Sequence, residues 1–453
     1  MKKKLLVLGI VVLSLLRPLS IAADELVDMA QKMYPNDHVQ AYNRPRSSLV
    51  IDANTGDVLW RDNIDEVRDP ASMSKLMTLY LLFESMKEGK ITKDTVVTAT
   101  AADQSMSKIY EISNNNIVAG VDYTVSELIT MTAVPSSNVA TIMLANLLSN
   151  HDADAFIQRM NEKSKELGMT NTVWNNPSGA AISTFQGLYT SYNYPNDAAN
   201  QTTARDLAIL VYHFVKEYPD ILSYTNQAKV TVKQGTPYEE TFDTYNYSLP
   251  GARYALEGVD GLKTGSSPRG AFNYIATAKR GEQRIISVVM GVGDWSDQDG
   301  EYYRHPFGNA LIEKAYADYE YKKIFKAGEQ TINGKRYNLS KDFYATVKKG
   351  ASAKPVVENG VLKNDNGLKQ LSSLIADGES VTDVKKRATS TVQSTIAKSN
   401  GKSLKQLFLD YHILVAVPLL ILLLIVVFEA TKRKQRRKQR TTNDTQLSRR
   451  QKR

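Results

Sequence analysis

The sequence predicts an α+β protein, an antiparallel sheet flanked by helices with a helical middle, to which both ends of the domain contribute strands. Three observations carry this. Ser47–Asp52 and Asp57–Trp60 read as short strands about Asn54-Thr55-Gly56, a hairpin signal. Several amphipathic helices follow. Ala271–Ala278 and Ile285–Val292 then alternate or run apolar about Arg280-Gly281, a second hairpin. Between these strands, Pro70-Ala71-Ser72 opens a helix that is apolar on every side through Leu76, Met77, Leu79, Leu81, Leu82 and Phe83 and stops at Gly89. Such a helix belongs at a domain centre. Thr124-Val125-Ser126-Glu127 is a capping box opening another helix, and Leu207, Leu210, Val211 and Phe214 mark the inward stripe of a third. After Tyr319, Lys, Asn and Gly become frequent, and segments such as Phe343–Val347 and Pro355–Val361 read as small strands.

Composition narrows the function. At 453 residues and 50.5 kDa the chain has room for two or three domains. With 42% hydrophobic and 23% charged residues it is neither disordered nor collagen-like. The absence of cysteine removes disulfides, thiolate metal sites and cysteine nucleophiles. The net charge of +9 sits at the ends: residues 1–23 carry four positives and no acid, and residues 431–453 carry eleven against Asp444. Residues 24–430 are left at −5, so nucleic-acid binding by the folded part is not expected.

Both ends point to a membrane. Lys2-Lys3-Lys4, the apolar run Leu5–Leu16 and Ser20-Ile21-Ala22-Ala23 have the pattern of a secretory signal. Leu407–Phe428 is apolar apart from Asp410 and His412. As a helix it would measure roughly 33 Å, enough to span a hydrocarbon core of about 30 Å. The basic run from Lys432 to Arg440 then marks a cytoplasmic flank. An interfacial helix competes with the span, but the apolar run has no polar face to leave in water. The predicted organisation is a signal peptide over 1–23, a large main domain over 24–319 and a β-rich domain over 320–385. A stalk over 386–406, an anchor over 407–428 and a basic tail over 429–453 complete it. The body then lies outside the membrane and the short basic tail inside, and export without cysteines fits a bacterial surface.

The histidines His38, His151, His213, His305 and His412 form no His-Glu-x-x-His pattern, and there is no Gly-x-Ser-x-Gly elbow or phosphate-binding glycine loop. No metal or cofactor is expected. What does occur is Ser72-Met73-Ser74-Lys75 at a helix start, where residues three apart share a face and the Lys75 amine can reach the Ser72 hydroxyl. A lysine entering a buried helix must be paired or neutral, and a neutral one is a base. Ser136-Ser137-Asn138 follows in a loop after Pro135, and Lys263-Thr264-Gly265 lies ahead of the Ala271 strand. Each motif alone is weak. The ordered set, in helix, loop and strand contexts, is specific to penicillin-recognising serine enzymes.

On these motifs, and on Leu49–Gly56, Pro70–Thr78, Met160-Asn161-Glu162, Leu167-Gly168-Met169, Asn176-Pro177-Ser178-Gly179, Thr203–Asp206 and Asp260–Gly265, the chain resembles the D-alanyl-D-alanine carboxypeptidases, the low-molecular-mass penicillin-binding proteins. The likeness runs over roughly residues 30–315. It implies a β-lactamase/transpeptidase-like fold and cleavage of the terminal D-alanine from peptidoglycan stem pentapeptides, which limits cross-linking. Penicillins and other β-lactams become covalent inhibitors. Carried over, Ser72 is the nucleophile, Lys75 the base, Ser136 a proton relay, and Asn138 a holder of the substrate amide or of the Lys75 amine. Lys263 and Thr264, with Arg269, receive the substrate carboxylate. Gly265 leaves room for the peptide, and the N–H groups of Ser72 and Ser266 form the oxyanion hole. Many relatives have histidine where this chain has Ser266. A β-lactamase is the nearest rival, but no Glu-x-x-x-Asn segment follows Asn138 to supply a deacylating base. A transpeptidase or endopeptidase differs only in acceptor or bond, and a non-catalytic wall-binding protein has no reason to keep the set complete.

Overall fold

The computed structural model describes residues 24–384. The signal peptide, stalk, anchor and tail predicted above lie outside the described residues. Among the described residues no helix is long and apolar enough to cross a membrane.

The central sheet is antiparallel. Its strands from the body are β1 (Ser47–Asp52), β2 (Asp57–Asp62), β7 (Val259–Ser267), β8 (Ala271–Arg280) and β9 (Gln283–Val292). Two short pairs, β3 (Val96–Thr98) with β4 (Asp122–Thr124) and β5 (Lys229–Val232) with β6 (Glu240–Asp243), lie apart from it. The sheet runs β2-β1-β9-β8-β7, so strands from the two ends of the domain meet at its centre and β7 is left as an edge. Alternation sorts the side chains between two cores: Leu49, Ile51, Ile286, Val288 and Met290 join one cluster, and Val50, Ile285, Val289 and Val292 the other. The second cluster is closed by α1 (Glu25–Met33) and the long C-terminal helix Gly300–Asp318. Burial on both faces is why the β9 sequence runs apolar instead of alternating with polar residues.

On the other face lie the helices α2 (Lys75–Lys87), α3 (Ala101–Ser107), α4 (Val125–Ala133), α5 (Asn138–Ser149), α6 (Ala153–Leu167), α7 (Ala204–Glu217) and α8 (Ile221–Thr225), which makes Gly300–Asp318 α9. Every residue of α2 from Lys75 to Phe83 is buried, as its uniformly apolar sequence requires. The α-helix, however, begins at Lys75. Ala71–Ser74 forms a 3₁₀ turn before it, so Ser72 and Lys75 eclipse each other with the tighter three-residue period. The capping box forms as predicted, with the Glu127 N–H donating to Thr124 Oγ1 at 3.2 Å and the Thr124 N–H to Glu127 Oε2 at 2.8 Å. Leu207, Leu210, Val211 and Phe214 are all buried.

Residues 319–384 are β-rich: β10 (Tyr319–Phe325), β11 (Gly328–Ile332), β12 (Lys335–Leu339), β13 (Phe343–Lys348), β14 (Pro355–Glu358), β15 (Val361–Asn364), β16 (Lys369–Gln370) and β17 (Glu379–Asp383). The stretch read as one strand, Pro355–Val361, is instead a strand and a turn. Asn359 (φ 50°) and Gly360 (φ 77°) reverse the chain before β15, as an Asn-Gly pair in a two-residue hairpin does. One segment returns to the body. β16 pairs with β2 as a sixth strand, the Leu371 N–H donates to the Gly56 carbonyl at 2.9 Å, and Leu371 and Ile375 enter the large core.

Candidate active site

Three chain segments converge where β7 faces the start of α2. Gly179 and Gly265 show how tightly they meet. A Cβ on Gly179 would lie 2.0 Å from the Ala71 carbonyl oxygen, and one on Gly265 would lie 2.5 Å from that of Pro70. The bare face of Gly265 is therefore filled by the Pro70–Met73 turn. This corrects the expectation that Gly265 makes room for a peptide: its missing side chain lets β7 close on the Pro70–Met73 turn.

Lys75 is buried, and its Nζ has three neighbours: Ser72 Oγ at 2.8 Å, Asn138 Oδ1 at 2.9 Å and the Ser178 carbonyl at 2.8 Å. The last two only accept. A neutral amine spends its two N–H bonds on them and aims its lone pair at the Ser72 hydroxyl, which then donates to it. Burial, and after it the Lys263 ammonium, hold Lys75 well below its ordinary value. Asn138 is turned by its other end, where Nδ2 donates to the Ser113 carbonyl at 2.9 Å. Of the two roles expected for it, the geometry supplies the one that holds the Lys75 amine.

Ser136 sits at φ 60° in the loop between α4 and α5, which turns its hydroxyl toward β7, where Lys263 Nζ donates to Ser136 Oγ at 2.8 Å and to the Thr264 carbonyl at 3.0 Å. Burial, then the Arg304 guanidinium, bring Lys263 down to about 7. Ser72, Ser136, Asn138, Thr264, Gly265, Ser266 and Arg269 all line one cleft of about 530 Å³, with Lys75 and Lys263 beneath its surface. Arg269 stands exposed at the rim. The Ser72 N–H has no partner among the described residues, as expected for the first turn of a helix.

Two contributors have no role legible in the sequence. The Ser178 carbonyl reaches Lys75 from the Asn176–Gly179 turn, a segment that carries the family resemblance without showing a side chain for this contact. Arg304, in the first turns of α9, is 1% exposed and lines the cleft, donating from Nη1 to Ser266 Oγ at 2.8 Å. Its nearest carboxylate, Glu301, is 3.8 Å away, and its Nε is buried without a partner. A buried cation so poorly compensated leaves the cleft ready for an anion.

Comparison with known proteins agrees with this geometry. The D-alanyl-D-alanine carboxypeptidase family profile matches residues 32–294, and a domain of unknown function (DUF1958) matches residues 321–382. The chain is 28% identical over 378 residues to D-alanyl-D-alanine carboxypeptidase DacF of Bacillus subtilis (strain 168), spanning 83% of this chain and 84% of that protein. It is 26% identical over 315 residues to DacA of Escherichia coli (strain K12), 67% of this chain and 71% of the relative. The crystal structure of a peptidoglycan synthesis regulatory factor (PBP3) from Streptococcus pneumoniae superposes with a TM-score of 0.64 at 25% identity, covering 75% of this chain and 99% of that one. Because the matched region holds all three motifs and exceeds half the chain, the protein belongs to the D-alanyl-D-alanine carboxypeptidase family.

Proposed function

We propose that the chain is a serine-type D-Ala-D-Ala carboxypeptidase that removes the last D-alanine of peptidoglycan stem pentapeptides through an acyl-enzyme. The observation that carries this is the Lys75 amine, 2.8 Å from Ser72 Oγ with its two other contacts spent on pure acceptors. Lys75 takes the Ser72 proton as Oγ attacks the carbonyl of the penultimate D-Ala. The oxyanion is received by the Ser72 and Ser266 N–H groups. The Ser136 hydroxyl, bonded to Lys263, relays to the departing amine the proton that Lys75 took up, which leaves Lys75 neutral again, and water then hydrolyses the ester. Substrate adds alongside edge strand β7, with Thr264 on its path. Its terminal carboxylate meets Arg304 and Ser266, with Arg269 at the entrance. Arg304 thus takes a large part of a role the sequence suggested for Lys263, Thr264 and Arg269, while the Lys263 amine is turned to Ser136 and the Thr264 carbonyl.

β-Lactams present an amide and a carboxylate as the stem peptide does, with the amide strained in a four-membered ring, so they acylate Ser72 and compete with the stem peptide. The leader at 1–23 exports the protein, and the 407–428 span with its basic flank holds the body outside the cytoplasmic membrane, facing the wall. That placement is supported by hydropathy and charge order in the sequence. The test is direct: incubate the purified protein with a stem pentapeptide and weigh the product. Loss of one alanine is expected from the wild type and none from Ser72→Ala; release by the alanine variant would move the nucleophile elsewhere.

A further inference from the structure

Asp69 takes no part in the chemistry above, yet it touches the supports of both oxyanion donors. Its Oδ1 accepts from the Ala71 N–H at 2.8 Å. Ala71 stands at φ 49°, a left-handed conformation that a residue with a Cβ keeps only when its surroundings impose it. The next N–H along the chain is that of Ser72. Asp69 Oδ2 accepts from Ser267 Oγ at 2.7 Å, and Ser267 follows Ser266 at the end of β7. The Ser267 hydroxyl in turn accepts from the Gly270 N–H at 2.8 Å, and the Asp69 carbonyl accepts from Asn273 Nδ2 at 3.1 Å, which ties the residue into β8.

We propose that Asp69 is a positioning residue for the oxyanion hole: one carboxylate sets the separation and angle between the Ser72 N–H on the 3₁₀ turn and the Ser266 N–H on β7. The two donors belong to segments far apart in sequence. Close packing of Gly265 on the Pro70–Met73 turn brings the segments together, and the carboxylate ties their ends directly, with one oxygen on each side. Electrostatic stabilisation of an oxyanion depends on such preorganisation, and a displacement of about 1 Å can cost roughly 100-fold in rate. This role rests on the acyl-transfer reading above.

The test separates binding from acylation. Stopped-flow labelling with a fluorescent penicillin gives both the dissociation constant of the first complex and the acylation rate constant. Asp69→Ala is expected to lower the rate constant about 10- to 100-fold with the dissociation constant unchanged. Asp69→Asn keeps an acceptor for Ala71 and can donate to Ser267 Oγ, so it should restore most of the rate. Ser267→Ala, which loosens only the β7 side, should fall between. An Asp69→Ala acylation constant equal to wild type, a loss confined to the dissociation constant, or an asparagine variant as slow as the alanine one would each overturn the proposal. Should Asp69→Ala fail to fold, Ser267→Ala decides, and a wild-type rate there counts against it. A wild-type protein that penicillin does not label at Ser72 would instead sink the acyl-transfer reading itself.

Discussion

Residues 24–319 carry 25 lysines and arginines against 37 aspartates and glutamates, whereas residues 320–384 carry 11 against 8. The same contrast runs through their interiors. The body packs two large apolar clusters on either face of one sheet, while the β-rich region gathers a small core about Tyr337, Leu339, Phe343 and Leu362. Its charges sit mostly in exposed pairs such as Lys341–Glu379 and Lys363–Glu358. The acidic body nevertheless buries three basic side chains at the cleft: Lys75, Lys263 and Arg304 are 0%, 2% and 1% exposed. The charge acting on Lys75 is that of Lys263, and the charge acting on Lys263 is that of Arg304, whose own nearest carboxylate, Glu301, stands 3.8 Å away. Desolvation and mutual repulsion decide the protonation of the site, which only a large rigid core can enforce. The smaller region lacks that resource and gains order by lending a strand, β16, to its neighbour's sheet.

The largest effect that would break this comparison is chemical. Lys75→Ala should cut acylation by about 10²–10⁴-fold and leave the protein folded, at a cost of about 1–3 kcal/mol for the Asn138 and Ser178 acceptors left without a donor. Substantial acylation by that variant, measured with a fluorescent penicillin, would remove Lys75 as the base. Next comes the strap. Leu371→Ala empties a site in the body's core and should cost about 2–5 kcal/mol in denaturant unfolding, in a transition that includes the active site. Leu362→Ala, of the same chemistry but inside the small core, should leave penicillin labelling intact at temperatures where the strap variant has lost it.

A third effect concerns pH. Lys263 falls from its ordinary 10.5 to about 7 on folding, so between those values the folded chain binds fewer protons than the unfolded one. Stability then rises with pH across that window, and the contribution is absent from Lys263→Met. Unfolding midpoints of the two proteins at pH 7 and pH 9 measure it, and parallel slopes would show that Lys263 is not titrating. The smallest effect is expected at Arg336–Glu329, half-exposed on β12 and β11, where Arg336→Ala should cost less than about 1 kcal/mol and still less at high salt.

Much of the site was legible because it is local. Ser72 and Lys75 meet through the period of a single turn, Ser136 and Asn138 through a short loop, and Lys263 through the alternation of one strand. The β1–β2 and β8–β9 hairpins were equally readable, their apolar runs broken by Asn-Thr-Gly and Arg-Gly. The 3₁₀ turn was not, because a change from about 3.6 to about 3.0 residues per turn over Ala71–Ser74 leaves the apolar pattern of α2 unchanged. The hairpin inside Pro355–Val361 carried its own signal, Asn359-Gly360, which the surrounding valines obscured.

The sequence alone therefore determined the order of elements, the three motifs and the apolar helix that buries a lysine, since each depends on neighbours along the chain. Tertiary structure alone decided that Arg304 stands behind Ser266, that the Ser178 carbonyl fills the third position on Lys75, and that Gly265 is bare for the sake of Pro70. These contacts join residues whose separation in sequence carries no periodicity. What selects them is desolvation, close packing and the need of each buried polar atom for a partner, and those forces act only once the chain is folded.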